Sequence, residues 1–122
     1  MTDPTGGSES VRRRRTFSLA EAQTLLPSVV RVTERAVAES LHVQEHARNA
    51  SEPADPRVVE IALHRVVQRW SQEIEAIGGE PKGLWLVDFD SGMGYYCWRY
   101  PERRVDHWHP YDTGIQGRLP IQ

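Results

Sequence analysis

Two histidines two residues apart, His107 and His109, stand in a run of acids and aromatic rings, WLVDFD, YYCWRYPE and VDHWHPYDTGIQGR, spread over residues 85 to 118. Each of these side chains brings a polar group that needs a partner when buried, so a small domain does not gather this many merely to fill a core. On a strand, the 107/109 spacing projects both imidazoles from one face, as a bidentate metal grip or an acid/base pair requires. Asp88, Glu102, Asp106 and Asp112 are the nearest acids in sequence. His107, His109, Asp88 and Glu102 therefore form both the candidate catalytic set and the candidate ligand set, and imidazole plus carboxylate with open positions suits a divalent iron, manganese or zinc. Without metal, the same groups would move protons on a small carbonyl or aromatic molecule held among Tyr96, Trp98 and Trp108, with Arg118 as a further substrate-binding group. The competing reading is structural. His109 and Asp88 would hydrogen-bond to pin a hairpin, and Arg118 would tie down a C-terminal strap by pairing with Asp112 or Glu102.

A second constellation offers an alternative metal set. Glu39 and His42 are spaced i,i+3, while His42 and His46, and Glu60 and His64, are spaced i,i+4. Each set shares a helical face, and folding a hairpin near residue 53 sets His42 near His64 and His46 near Glu60. These residues flank the apolar stripes, which is also where solvated helix faces carry their His and Glu. Cys97 invites a nucleophile reading with His107 or His109. Pairing Tyr100 with Val105, however, directs its thiol to the face opposite both histidines and leaves it a small buried apolar group.

The elements that would position these groups follow from periodicity. Ser18 and Glu21 form a capping-box pair before an apolar stripe through Leu19, Ala22, Leu26, Val30, Thr33, Val37 and Leu41, which predicts a helix with a kink or restart at Pro27. Asn49 to Asp55 breaks the period. Asp55 then reads as an N-cap and Pro56 as a first helical residue, opening a second helix along Val59, Leu63, Val66, Trp70, Ile74 and Ile77 that stops at Gly78 and Gly79. Beyond Pro81 the period becomes that of strands, over Leu84 to Phe89, Tyr95 to Tyr100 and Val105 to His109. The sequence thus predicts an α+β domain over residues 16–122, with an antiparallel two-helix hairpin at 16–79 followed at 80–122 by a small antiparallel sheet of two to three strands and a C-terminal strap. The Tyr100–Val105 pairing places Tyr96, Trp98, Val105, His107 and His109 on one face and Tyr95, Cys97, Arg99, Asp106 and Trp108 on the other. Large rings on both faces predict a homodimer that covers one of them.

Composition bounds the rest. With 122 residues, 39% hydrophobic and a formal charge of -2, the chain can bury one modest core, and it offers no general electrostatic attraction to nucleic acid or an anionic membrane. A single cysteine rules out an internal disulfide, and no apolar run is long enough to span a bilayer, so the expectation is a soluble, cytoplasmic protein. Residues 1–15, MTDPTGGSESVRRRR, have the composition of a disordered basic tail, and the Arg12 to Arg15 run lacks the interleaved aromatics of a nucleic-acid patch.

In several of these residues the chain resembles a family of short bacterial proteins grouped as domain of unknown function 2203. The likeness lies in FSLAEAQTLLP at Phe17 to Pro27, LVDF at Leu86 to Phe89, Cys97–Trp98, Glu102, Trp108–His109, and D-x-G-x-x-G-R-x-P at Asp112 to Pro120. Pro101 replaces the Gly that usually precedes the Glu, and Pro110 replaces an acidic residue that often follows the WH pair. The resemblance implies a helical pair followed by a small sheet, and no established activity. Two functional classes follow from the residues themselves: a small enzyme or a metal- or small-molecule-binding protein using the C-terminal site, or a non-catalytic homodimeric interaction module.

Overall fold

The computed structural model describes residues 15–121. The tail expected over residues 1–15 lies, but for Arg15, outside them. Helix α1 (Leu19–Arg48) begins where the capping box predicts: Ser18 Oγ accepts from the Glu21 N–H at 3.0 Å, and Glu21 Oε1 accepts from the Ser18 N–H at 2.8 Å. Pro27 does not restart it, and one helix runs through. Proline removes the donor that the Gln23 carbonyl would receive, but Pro27 sits on the solvent side, where water can serve that carbonyl. Helix α2 (Pro56–Ile77) opens on Asp55, whose carboxylate accepts from the Arg57 N–H at 2.9 Å, and closes at Gly78, whose φ of 122° suits a residue without Cβ.

Five strands follow rather than two or three: β1 (Glu80–Gly83), β2 (Leu86–Asp90), β3 (Tyr95–Arg99), β4 (His107–His109) and β5 (Leu119–Pro120), an antiparallel meander in the order β1-β2-β3-β4-β5. The two unforeseen strands are the edges. β1 reads EPKG, without β-branched or aromatic residues, and β5 is only two residues long, so neither carries a strand pattern.

The β3–β4 register differs from the expected one by a single residue. Tyr95 pairs with His109, Tyr96 with Trp108 and Cys97 with His107. Glu102 causes the shift by folding back on the turn: its N–H donates to the Arg99 carbonyl at 2.8 Å, its carboxylate accepts from the Arg99 N–H at 2.9 Å, and its carbonyl accepts from Trp98 Nε1 at 2.7 Å. A one-residue slip exchanges faces. Val87, Phe89, Tyr96, Trp98 and Trp108 share the inner face, and Asp88, Asp90, Tyr95, Cys97, His107 and His109 share the outer one.

The core lies between the inner face and the helices. Val87, Phe89 and Trp98 pack there with Phe17, Ala22, Leu26, Val29, Ala36, Val66, Trp70, Ile74 and Val105. Residues 110–118 fold over the outer face, where Tyr111 donates to Asp90 at 2.6 Å and Arg118 bonds to Glu102. Both sheet faces are therefore covered within one chain, which removes the reason for expecting a second copy to cover one. Among the described residues, no helix is long and apolar enough to cross a membrane.

Candidate functional site

Each of the three central strands contributes one side chain to a buried cluster on the outer face: Asp88 from β2, Cys97 from β3 and His109 from β4. They are 2%, 0% and 2% exposed, and one ligand atom from each lies within 4.8 Å of the other two. Strand alternation accounts for the placement. Val87 and Phe89 turn inward and so direct Asp88 outward, Cys97 pairs directly with Asp88, and His109 stands one diagonal step away.

Hydrogen bonding fixes the protons. His109 Nδ1 lies 2.7 Å from the Pro110 carbonyl, which can only accept, so Nδ1 carries the hydrogen. Nε2 then faces Asp88 Oδ2 at 2.9 Å, and a single proton there makes the pair either imidazolium–carboxylate or imidazole–carboxylic acid. Asp88 Oδ1 is buried and meets no full hydrogen-bond donor; the weakly donating Cys97 thiol stands beside the carboxylate. Burial raises the Asp88 carboxyl above its ordinary value, although His109, Cys97 and Lys82 all favour its charge; Lys82 Nζ stands 3.8 Å from Oδ2. Burial likewise pushes the Cys97 thiol up to about 11, with Asp88 adding to the rise and an Arg118 N–H donated to Sγ at 3.7 Å opposing it. A neutral thiol under full cover is no nucleophile at neutral pH.

Cys97 shares its face with both histidines, contrary to the Tyr100–Val105 pairing. The same slip redistributes the other expected site residues. Tyr96, Trp98 and Trp108 lie on the inner face, away from Asp88 and His109, and Trp98 is wholly buried in the core. The ring beside His109 is Tyr95, 5.5 Å away, which in turn meets Tyr111 edge-on at 5.1 Å. Glu102 and His107 belong to a second group with Asp106. There Arg118 makes a paired hydrogen bond to both Glu102 oxygens, which realises the expected Arg118–Glu102 tie. His107 Nδ1 approaches Asp106 at 2.8 Å and Glu102 at 3.8 Å, but without hydrogen-bond alignment. Burial raises the Glu102 carboxyl, yet the bonds from Arg118 and the Arg99 N–H outweigh it and leave Glu102 below its ordinary value.

On the helices, His42 and His46 stack with centroids 6.3 Å apart, and Glu39 pairs with Arg69 at 2.6 Å. Among the described residues, the groups of three or more ligand atoms within 4.8 Å are the two on the sheet, and His42, His46, Glu60 and His64 do not form one. No motif singles out Lys82, Asp90 or Tyr111, although the alternation of LVDFD sets Asp88 and Asp90 side by side.

A family model described as Uncharacterized conserved protein (DUF2203) matches residues 15–121. The chain belongs to this family. Searches of curated proteins and of solved structures give no significant match. The DUF2203 match spans both helices and all five strands, so the Asp88–Cys97–His109 cluster lies within the family's domain.

Proposed function

We propose that the protein binds one divalent transition metal, of the zinc class, through Asp88, Cys97 and His109. The observation that carries the reading is an Asp88 Oδ1 without a full hydrogen-bond donor, 98% of whose residue surface is withdrawn from solvent, set beside an imidazole whose tautomer is fixed by Pro110. Leaving a buried carboxylate oxygen without a full partner costs about 1–3 kcal/mol or more, a cost that a bound cation would remove. A histidine that donates Nδ1–H to a backbone carbonyl and turns Nε2 toward carboxylate and thiol has the outer-shell arrangement of a metal ligand. Bonds of about 2.0–2.3 Å at tetrahedral angles separate ligand atoms by roughly 3.3–3.6 Å, which the cluster can reach with small side-chain shifts.

Charge and size agree with this assignment. Carboxylate plus thiolate neutralises a divalent ion, while Arg118 and Lys82 are already offset by Glu102 and Glu80. Thiolate ligation favours zinc over manganese, which narrows the set that His and carboxylate alone suggest. Side chains only 0–2% exposed admit an ion, whereas an aromatic substrate would need the strap to open. Three protein ligands leave a fourth position for water or a substrate oxygen.

The test is elemental analysis of tag-free protein, with cobalt titration of the stripped form. One zinc per chain is expected, as is a near-ultraviolet thiolate-to-cobalt band that is lost in Cys97→Ala and in Asp88→Asn. Protein that retains no zinc and shows no cobalt band would leave Asp88 and His109 as a hydrogen-bonded pin, and the reading would be wrong.

A further inference from the structure

The distal half of the helical hairpin is built like half of a larger bundle. All buried residues of α1 lie between Ala22 and Ala36, and those of α2 between Val66 and Ile74, where the sheet covers them. Between Val37 and Arg65 no residue is buried, although the segment carries Leu41, Val58 and Ile61 at 53%, 62% and 53% exposure. A helix pair with an apolar stripe and no third layer is marginal in water, and another helix pair is the simplest cover.

We propose that two copies of this chain pair through the distal half of α2 about a two-fold axis. The patch is self-complementary in shape. Ile61 protrudes beside a hollow of about 450 Å³ whose apolar lining includes Val43, Ala47, Ala54, Val58, Val59 and Ala62. A two-fold interface requires both knob and hole on one surface. The patch is also self-complementary in charge. At 100° per residue, Asp55, Val58, Ile61, Ala62 and Arg65 fall within about 120° of one α2 face, with the acid at one end and the base at the other. Laying two such faces antiparallel sets Asp55 against the partner copy's Arg65 at both ends and brings Val58 opposite Ala62. Arg65 makes no ion pair among the described residues, and the Asp55–Arg57 pair at 3.4 Å is exposed. The N-terminal segment is a poor alternative occupant. Its large apolar side chains are Met1 and Val11, too few to cover the patch.

Sedimentation equilibrium of the full chain at about 50 µM tests the pairing. The parent should show the mass of two chains, and Val58→Asp and Ile61→Asp, both at exposed positions, should sediment as monomers with unchanged helical circular dichroism. Arg65→Glu, which sets two acids together, should weaken association about tenfold, and adding Asp55→Asn, which keeps a capping side chain, should recover most of that loss. A monomeric parent, or a dimer that survives both aspartate substitutions, would overturn the proposal.

Discussion

The two faces of the sheet bury polar atoms on different terms. On the helix side, each such group has a partner: Trp70 Nε1 donates to Thr33 at 2.8 Å, Trp98 Nε1 donates to the Glu102 carbonyl at 2.7 Å, and the Gln23 amide both donates to and accepts from the Val105 backbone, at 2.9 and 3.0 Å. On the strap side, Asp88 is as deeply buried and keeps one oxygen without a full donor. Buried polar groups that serve only the fold are normally satisfied, because an unmade bond is a direct loss of stability. The inner face follows that rule, and the outer face departs from it at Asp88 Oδ1 and at His107 Nδ1, each within a group of three potential ligands.

Deleting the centre of the inner face should have the largest effect. Trp98→Ala empties a wholly buried site and should cost about 3–5 kcal/mol in urea unfolding, with no change in metal content beyond that of the unfolded fraction. Thr33→Val keeps the shape but strands Trp70 Nε1, and should cost about 1–3 kcal/mol. If either substitution stripped metal from folded protein, the two faces would not be separable.

How far the sequence revealed this contrast differs from element to element. The helices were legible because their signals are local: Ser18 with Glu21, Asp55 before Pro56, and Gly78 each act within one turn. Asp88 and His109 were legible by residue type. Their partnership with Cys97 was not, because it depends on register, and register was set by Glu102 bonding back to Arg99 and Trp98, which no hydrophobic pattern encodes. Matching Val87 and Phe89 to Trp98 and Tyr96 as one apolar face would have placed Asp88 and Cys97 together on the other. β1 escaped notice because EPKG gains its pairing from β2 rather than from any propensity of its own.

A smaller change in stability, with a large change in binding, is expected at Asp88. In metal-free protein Asp88→Asn can still meet His109, the amide N–H donating to Nε2 while Nδ1–H keeps Pro110, and it removes a desolvated charge. Its melting free energy should stay within about 1 kcal/mol of the parent, while zinc affinity falls on the order of a hundredfold. A loss of stability comparable to Trp98→Ala would place Asp88 among the ordinary structural groups and end the distinction between the faces.

The finest discrimination comes from pH, since the two carboxylates of the outer face are shifted in opposite directions. Burial raises Asp88 above its ordinary 3.8 despite the opposing influence of His109, Cys97 and Lys82. In metal-free protein its ionised form therefore costs stability at pH above the folded value, and the cost is relieved as pH falls through that value and is gone below 3.8. Burial also pushes Glu102 upward, but Arg118 and the Arg99 N–H more than offset it, so Glu102 titrates below its ordinary 4.5. Glu102 accordingly stabilises the fold above 4.5 and loses that contribution as pH falls through its lowered value. Melting temperatures measured in chelator against pH should show the parent gaining on Asp88→Asn as the solution is acidified toward 3.8, and losing to Glu102→Gln below 4.5. Saturating zinc should reverse the Asp88 trend alone, because protons then compete with the ion for carboxylate and thiolate. Parallel slopes for the two variants in chelator, or no reversal with zinc, would mean that Asp88 and Glu102 play the same structural part.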